Sequence, residues 1–197
     1  MYKRQVIDLW KSGVIGSREC LIRECALTRA TREQVLDLAS RVPVDPGFDS
    51  FLTAAGERGW RVRVVSDGLD LYIRAVLERE GWGHIPVEAN GVRFIGDRLL
   101  PTFPYTGRGC GRCGNCKAGA VEEATRNGPV IFVGNGLSDR CGASTAPTVF
   151  AKDDLARFCR SEGIDFEPFR SFDDVRRHLL TGTSSPCGRA RFLVTGL

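Results

Sequence analysis

The sequence VVSDGLDLYI, residues 64–73, contains an abrupt change of pattern that decides the fold. A largely apolar, β-branched run at 62–65 stops at Ser66, Asp67 and Gly68, and an amphipathic segment follows. This pattern predicts a buried strand that leads through a tight turn into a helix. The turn has two interpretations: an ordinary helix cap at Ser66 or Asp67, or an anion site made of a hydroxyl and backbone N–H groups.

The same alternation of strand and helix patterns continues along the chain. Asn90-Gly91 predicts a hairpin turn between short extended pieces at 84–94. The alternation predicts an α/β protein whose mostly parallel sheet is covered by helices on both faces. The predicted buried strands are 60–65, 129–133 and 148–151, and the predicted helices are 48–59, 69–80, 118–126, 153–162 and 172–180.

The N-terminal part has a different organisation, because residues 6–42 show only helical patterns. Thr31 and Gln34 match a capping box ahead of one helix. The prolines of VPVDPGF, residues 42–48, break the pattern and predict a boundary. We therefore predict three parts: helices at 6–42, a core at 43–180 and a tail at 181–197 that we leave unassigned.

A second buried strand ends in GNGLSD, residues 134–139. Asn135 and Asp139 lie four residues apart, and their oxygen atoms suit a hard cation such as Mg²⁺. The alternative is a turn in which Ser138 or Asp139 caps the next helix. Lys117 begins a predicted helix, where a positive charge is unfavourable. Lys117 therefore has two interpretations: it contacts an anionic partner, or it is exposed to solvent.

Three cysteines lie close together in CGRCGNCK, residues 110–117. Cys110, Cys113 and Cys116 have the C-x-x-C-x-x-C spacing, which resembles part of an iron–sulfur or zinc site. A tetrahedral site needs a fourth ligand, for which Cys141 is the candidate. The alternative is a metal-free glycine-rich loop. Eight cysteines without a secretion signal predict reduced thiols in a cytoplasmic protein.

Taken in chain order, a strand that ends in serine, a lysine at a helix start and a strand that ends in G-x-G-x-x-D resemble the haloacid dehalogenase superfamily of phosphatases. VVSDGLDLYI, CGNCK, FVGNGLSDRCGA and VFAKDDL are similar to its phosphoserine-phosphatase-like branch. The resemblance runs from about Trp10 to Leu180. It implies a Rossmann-like parallel sheet and a helical cap, 6–42, that closes over the substrate.

The resemblance also implies a reaction, the Mg²⁺-dependent hydrolysis of a small phosphorylated metabolite through an aspartyl-phosphate intermediate. In that reaction Ser66 binds the phosphoryl oxygen and Lys117 neutralises charge. Asp139 positions Lys117 and, with Asn135, holds the metal. The implied catalytic residues are Ser66, Lys117 and Asp139, and the implied phosphate-binding residues are Ser66, Asp67, Gly68 and Lys117.

Two features depart from the family pattern. The nucleophile motif D-x-D-G-T is absent from the 197 residues, and its strand normally lies between the strands assigned to 62–65 and 130–133. We therefore expect a sheet without its first strand, with unpaired backbone groups, in a truncated and inactive fragment of a phosphatase. Asn135 also replaces the usual aspartate ligand, which predicts weaker Mg²⁺ binding.

Three classes of function are compatible with the sequence: a phosphatase, a non-catalytic pseudoenzyme that binds a phosphorylated ligand, and a small module that binds metal or nucleic acid. The net charge of +4 comes with scattered arginines, so we expect no nucleic-acid partner. No apolar run reaches the roughly 18 residues of a membrane span, so we expect no membrane partner. The oligomeric state is not predicted.

Overall fold

The chain folds into two units, which are described in turn. This computed structural model describes residues 3–181 and 190–195. The first unit comprises Met1–Val42 and Val65–Cys116, and the second comprises Pro43–Val64 and Lys117–Leu197. The predicted cap, 6–42, shares the first unit with 65–116, and its role as a cap stays a prediction. Among the described residues, no helix is both long and apolar enough to cross a membrane.

The first unit combines helices with strands. Cys25, Leu69 and Leu99 form one cluster of buried apolar side chains within it. The predicted capping box is confirmed: Gln34 N donates to Thr31 Oγ1 over 3.4 Å, and Thr31 N donates to Gln34 Oε1 over 2.9 Å. The helices are α1 (Lys3–Lys11), α2 (Ser17–Leu27), α3 (Arg32–Ala39) and α5 (Asp70–Arg79), and the strands are β2 (Val87–Ile95), β3 (Arg98–Thr102) and the end of β1 (Arg61–Leu69).

The predicted hairpin turn is in the wrong place. Asn90 and Gly91 lie inside β2, and Gly96 and Asp97 make the two-residue connection to the antiparallel strand β3. Gly96 has a φ of +60°, which suits the first position of such a turn. Asn90 is fully buried and donates to Asp67 O over 2.8 Å, so a tertiary contact overrides its local turn preference.

Strand β1 is longer than predicted. We predicted that the strand ends at Val65, whereas β1 continues through Ser66, Asp67 and Gly68 to Leu69. Helix α5 then starts at Asp70, as the amphipathic pattern indicated. The extension follows from the sheet, because β2 is the neighbour of β1 and no local pattern indicates that pairing.

The second unit is a parallel sheet with packed helices, which confirms the predicted fold class. Its strand order is β1-β7-β4-β5-β6, with all neighbours parallel. The strands besides β1 are β4 (Val130–Gly134), β5 (Thr148–Ala151), β6 (Glu167–Pro168) and β7 (Arg191–Val194). The helices are α4 (Phe48–Glu57), α6 (Lys117–Thr125), α7 (Arg140–Ala143), α8 (Asp153–Glu162) and α9 (Phe172–Thr181), with a 3₁₀ turn at Leu137–Asp139.

The expected gap in the sheet is filled by the tail that we left unassigned. Strand β7 lies between β1 and β4, with Phe192 paired to Val62 on one side and to Ile131 on the other. This is the place where the resemblance puts the nucleophile strand. The expectation of unpaired central backbone is therefore wrong for the described residues. Arg191–Val194 provides the hydrogen-bond partners for both β1 and β4. Of the tail, 182–189 and 196–197 lie outside the described residues.

Strand β7 is also part of the apolar core of the second unit. Phe192 is fully buried, and its ring lies 5.2 Å from the ring of Phe51 and 5.3 Å from that of Trp60. Leu193 and Val194 are buried as well. Full burial of such side chains stabilises a fold by about 1.5–3 kcal/mol each, so β7 is held by packing as well as by hydrogen bonds.

Candidate active site at the strand ends

The first group of predicted site residues is at the carboxyl end of β1, in the first unit. Gly68 N donates to Ser66 Oγ over 3.0 Å. A side chain at position 68 would start 1.9 Å from Tyr72 Oη, so any residue other than glycine would have to displace the Tyr72 hydroxyl. Since a hydroxyl has one proton and two lone pairs, Ser66 accepts from Gly68 and keeps its proton for another acceptor.

Asn115 fastens this strand end to the loop that precedes α6. Its backbone N donates to Asp67 Oδ1 over 2.9 Å, and its Nδ2 donates to Ser66 O over 3.1 Å and Glu88 O over 2.8 Å. Its Oδ1 accepts from Arg108 Nη2 over 2.9 Å, and Arg108 also forms an ion pair with Glu88. Asn115 is 1% exposed. The residue belongs to the CGNCK motif, but the sequence pattern predicted no role for it.

Asp67 and Asn90 each have one buried oxygen atom without a hydrogen-bond partner among the described residues. Asn90 Nδ2 donates to Asp67 O and, over 3.2 Å, to Asp67 Oδ1. Within the described part of the chain, Asp67 Oδ2 and Asn90 Oδ1 have no hydrogen-bond partner although both atoms are buried. A buried acceptor without a partner costs about 1–3 kcal/mol. The end of β1 is therefore firmly held but not fully satisfied.

The second group is at the carboxyl end of β4, in the second unit. Lys117, the first residue of α6, makes an ion pair with Asp139 Oδ1 and donates to Ser138 Oγ over 2.9 Å. The side chains of Lys117 and Asp139 are each only 2% exposed. The solvated alternative for Lys117 is therefore wrong. Burial of two charges is tolerated because they pair and form further hydrogen bonds.

Asp139 is held from its other side by the turn that follows β4. Its Oδ2 accepts from Asn135 N over 2.9 Å and Gly136 N over 2.8 Å. Asn135 O accepts from Leu155 N over 3.0 Å, so the hydrogen bonds of Asn135 described here run through its backbone. Asp139 is the N-cap residue of α7 but makes no side-chain hydrogen bond to that helix, so the cap interpretation is not realised. One carboxylate oxygen instead holds the preceding turn, and the other contacts Lys117.

This donor set does not by itself fit a magnesium ion. Mg²⁺ in proteins is held by carboxylate and other oxygen ligands in near-octahedral geometry. The predicted ligands are Asp139, whose charge Lys117 already offsets and whose two oxygens are both hydrogen-bonded, and the uncharged Asn135. The geometry favours positioning of Lys117 as the role of Asp139.

Thr195 follows β7 directly, at the place where the resemblance puts the nucleophile. Thr195 N and Thr195 Oγ1 both donate to Val133 O, over 3.0 and 3.1 Å. A Cβ on Gly134 would lie 2.8 Å from both Thr195 Oγ1 and Asp139 Oδ2, so these two oxygens approach the same face of Gly134. A hydroxyl therefore lies beside Asp139, and the sequence pattern did not reveal it because its strand was unassigned.

The predicted cysteine cluster forms in the first unit. The Sγ atoms of Cys110, Cys113 and Cys116 all lie within 4.8 Å of one another. Cys141 belongs to α7 in the second unit.

Comparisons with known proteins give the class. The profile of the haloacid dehalogenase-like hydrolase family matches residues 8–144, which is well over half of the chain. This chain belongs to that family of hydrolases. A phosphoserine phosphohydrolase-like protein from Francisella tularensis has a similar fold, with a TM-score of 0.67 and 16% sequence identity over 89% of this chain and 82% of that one.

The more specific similarity is to curated bacterial relatives named 2-hydroxy-3-keto-5-methylthiopentenyl-1-phosphate phosphatase. The relative from Exiguobacterium sibiricum is 31% identical over 147 residues, which cover 73% of this chain and 67% of the relative. The one from Brevibacillus brevis is 27% identical over 159 residues, covering 78% and 71%. The resemblance drawn from the sequence motifs is confirmed.

Proposed function

We propose that this chain has the fold and site of a phosphatase that acts on a small phosphorylated metabolite. The substrate named in its relatives, a phosphorylated intermediate of methionine salvage, is the leading candidate. One observation carries the proposal: Lys117 is buried at the end of β4 with Asp139 and Ser138 as its partners. The ion pair fixes the position of the Lys117 ammonium group, and a group that is fixed before the reaction stabilises phosphoryl charge without the cost of reorganisation.

The residues of each unit have separate roles in this proposal. Ser66 keeps a proton that it donates to a phosphoryl oxygen, since its lone pair already accepts from Gly68. Lys117 offsets the charge of the phosphate, and Asp139 holds the lysine in place. Such prearranged charges supply much of the catalysis in phosphoryl transfer. The helices of 6–42 are proposed to act as the cap that excludes water.

Magnesium dependence belongs to the proposal as a family expectation. A bound Mg²⁺ supplies charge stabilisation of the phosphoryl oxygens. Asn135 and Asp139 are the residues proposed to contribute to holding it, together with ligands from outside this pair. The proposed location is the cytosol, where the cysteine thiols stay reduced.

The aspartyl-phosphate route needs an aspartate nucleophile on the central strand. The motif D-x-D-G-T does not occur in the 197 residues, and the central strand described here ends at Val194 and is followed by Thr195. This specific observation favours the second candidate function, binding of a phosphorylated ligand without hydrolysis. Both candidate functions use Ser66 and Lys117 to bind the phosphate. The two functions differ only in whether a nucleophile is present.

The experiment measures binding and turnover in the same protein. Titration calorimetry with a phosphate monoester, with and without Mg²⁺, gives the affinity, and release of inorganic phosphate gives turnover. We expect binding that weakens at least about tenfold, or 1.4 kcal/mol, in Ser66→Ala and Lys117→Met. Lys11→Met, at an exposed lysine at the end of α1, is the matched control.

Turnover is then tested with an added strand. A D-x-D-G-T strand from a relative is joined ahead of Val6 in a chain shortened by residues 190–197, because β7 occupies the same place in the sheet. In a second version the first aspartate of the added strand is asparagine. Hydrolysis by the first version alone supports the phosphatase. Binding without hydrolysis in either version supports the non-catalytic function. Absence of both binding and hydrolysis refutes both candidates.

A further inference from the structure

The loop between β3 and α6, residues 103–116, gathers three thiols into one cluster within the first unit. Cys110 Sγ lies 3.4 Å from Cys113 Sγ, and Cys110 N donates to Cys116 Sγ over 3.3 Å. All three sulfur atoms lie within 4.8 Å of one another. The proposed phosphate chemistry does not use these thiols.

We propose that Cys110, Cys113 and Cys116 bind a zinc ion through their thiolates, with a water molecule in the fourth position. With a Zn–S distance of about 2.3 Å, a tetrahedral site places its sulfur atoms about 3.8 Å apart. The distances in the loop, from 3.4 Å to at most 4.8 Å, bracket that value. An iron–sulfur cluster needs wider spacing, because several iron and sulfide atoms lie between its cysteine ligands.

The backbone of the loop is shaped for a metal ligand pair. Gly111, between Cys110 and Cys113, has a φ of +72°, a conformation that glycine adopts without strain. It turns the chain so that both sulfur atoms lie on one side. The N–H of Cys110 points at Cys116 Sγ, and such a donor stabilises the negative charge of a thiolate ligand.

The burial of the thiols changes stepwise across the cluster. Cys110 is exposed, Cys113 is half-buried and Cys116 is 1% exposed. An ion from solvent therefore meets Cys110 first. Other thiols of the first unit are poor ligands at neutral pH, because burial raises the pKa of Cys20 and of Cys25 to about 11. Only thiolates bind zinc.

The position of the cluster gives the ion a structural role. Asn115 lies between Cys113 and Cys116, and it is the residue that holds Ser66 and Asp67 through its backbone N and its Nδ2. Zinc that fixes Cys113 and Cys116, on either side of Asn115 in the chain, restrains Asn115 and through it the end of β1. The ion is therefore a support for the strand end and takes no part in the transfer of a phosphoryl group.

The first test is the metal content of the whole chain, purified under reducing conditions without chelator. We expect about one zinc per chain by mass spectrometry of the elements. Cys110→Ser, Cys113→Ser and Cys116→Ser are each expected to lose it. Cys20→Ser is the matched control, because Cys20 is a thiol of the same unit outside the cluster, and it is expected to keep the zinc.

A second measurement uses the unchanged sequence, so it stands even where a variant does not fold. Metal-free protein that receives Co²⁺ is expected to show the intense absorption bands of tetrahedral cobalt thiolate. The thiol count with Ellman's reagent at neutral pH is expected to rise by about three when the metal is removed. Both measurements are independent of phosphate binding, so their failure is distinguishable from failure of the proposed function.

The outcomes that overturn the zinc site are specific. They are protein that binds neither zinc nor cobalt, protein that holds iron with visible absorption, and a chain mass lowered by the two hydrogens lost in a disulfide. Amide exchange tests the supporting role, because after metal removal exchange is expected to quicken at 110–116 and to stay unchanged at 32–39. Equal exchange at 110–116 with and without metal refutes that role.

Discussion

Asp67 and Asp139 are two carboxylates at strand ends of one chain, and their surroundings differ. Asp139 has a cation on one oxygen and two backbone donors on the other. Asp67 has donors on one oxygen, whereas among the described residues its buried Oδ2 has none. The sequence presents both residues in the same way, next to a serine and a glycine-rich turn. The comparison indicates that Asp139 stabilises the fold through contacts on both oxygens, whereas Asp67 is held through one oxygen only. We call Asp139 and its partners the framework.

The largest effect that this comparison predicts is at Asp139. Asp139→Asn removes the charge that Lys117 needs, and loss of one partner of a buried pair costs about 3–5 kcal/mol. The free energy of unfolding, measured with urea, is expected to fall by that amount. The double variant Lys117→Met with Asp139→Asn is the control and is expected to recover most of the loss. A loss below about 1 kcal/mol, typical of exposed pairs, contradicts the assignment of the pair to the framework.

A smaller effect is predicted at Gly134, where the framework is crowded. The Cβ of Gly134→Ala would lie 2.8 Å from Asp139 Oδ2 and Thr195 Oγ1, and 2.9 Å from a methyl group of Leu155. Such overpacking costs about 1–3 kcal/mol. Gly136→Ala is the matched control, because its nearest neighbours are at 3.7 and 3.9 Å. Equal stability of the two variants would mean that Thr195 does not lie beside Asp139.

The elements that the sequence predicted best carry their signal within themselves. Helix α8 was predicted at 153–162 and observed at Asp153–Glu162, because its buried residues Leu155, Ala156 and Cys159 recur with helical spacing. The contact between Lys117 and Asp139 was predicted from the order of strand and helix ends, and the structure shows the ion pair. Local patterns and motif order were enough for these parts.

The parts that were missed depend on partners far away in the chain. Strand β7 has four residues and no distinct period, and its place follows from pairing with residues more than 50 positions earlier. Asn90 was placed in a turn because Asn-Gly favours one, whereas contact with Asp67 buries it in a strand. Asn115 has no local signature, since its role appears only when the loop meets the end of β1.

The shortage of negative charge around Asp139 leads to a binding prediction. Asn135→Asp adds a carboxylate beside an aspartate that Lys117 already offsets. Mg²⁺ is expected to bind about tenfold more tightly, a change of about 1.4 kcal/mol, as measured by calorimetry. Asn127→Asp, which places the same charge at an exposed loop residue, is the control. An unchanged Mg²⁺ affinity in Asn135→Asp shows that position 135 does not contribute a ligand.

The smallest effect is predicted at Asp67, and it separates the two carboxylates most directly. Asp67→Asn places an uncharged amide where Oδ2 has no partner among the described residues, while Oδ1 still accepts from Asn115 N. Removal of a charge from a buried atom without a partner is favourable, and this gain is offset because the bonds to Oδ1 lose their charge assistance. The free energy of unfolding is therefore expected to change by less than about 1 kcal/mol. A loss of more than about 2 kcal/mol would show that Asp67 Oδ2 is paired in solution, as a buried carboxylate with a cation is, and that Asp67 belongs to the framework as Asp139 does.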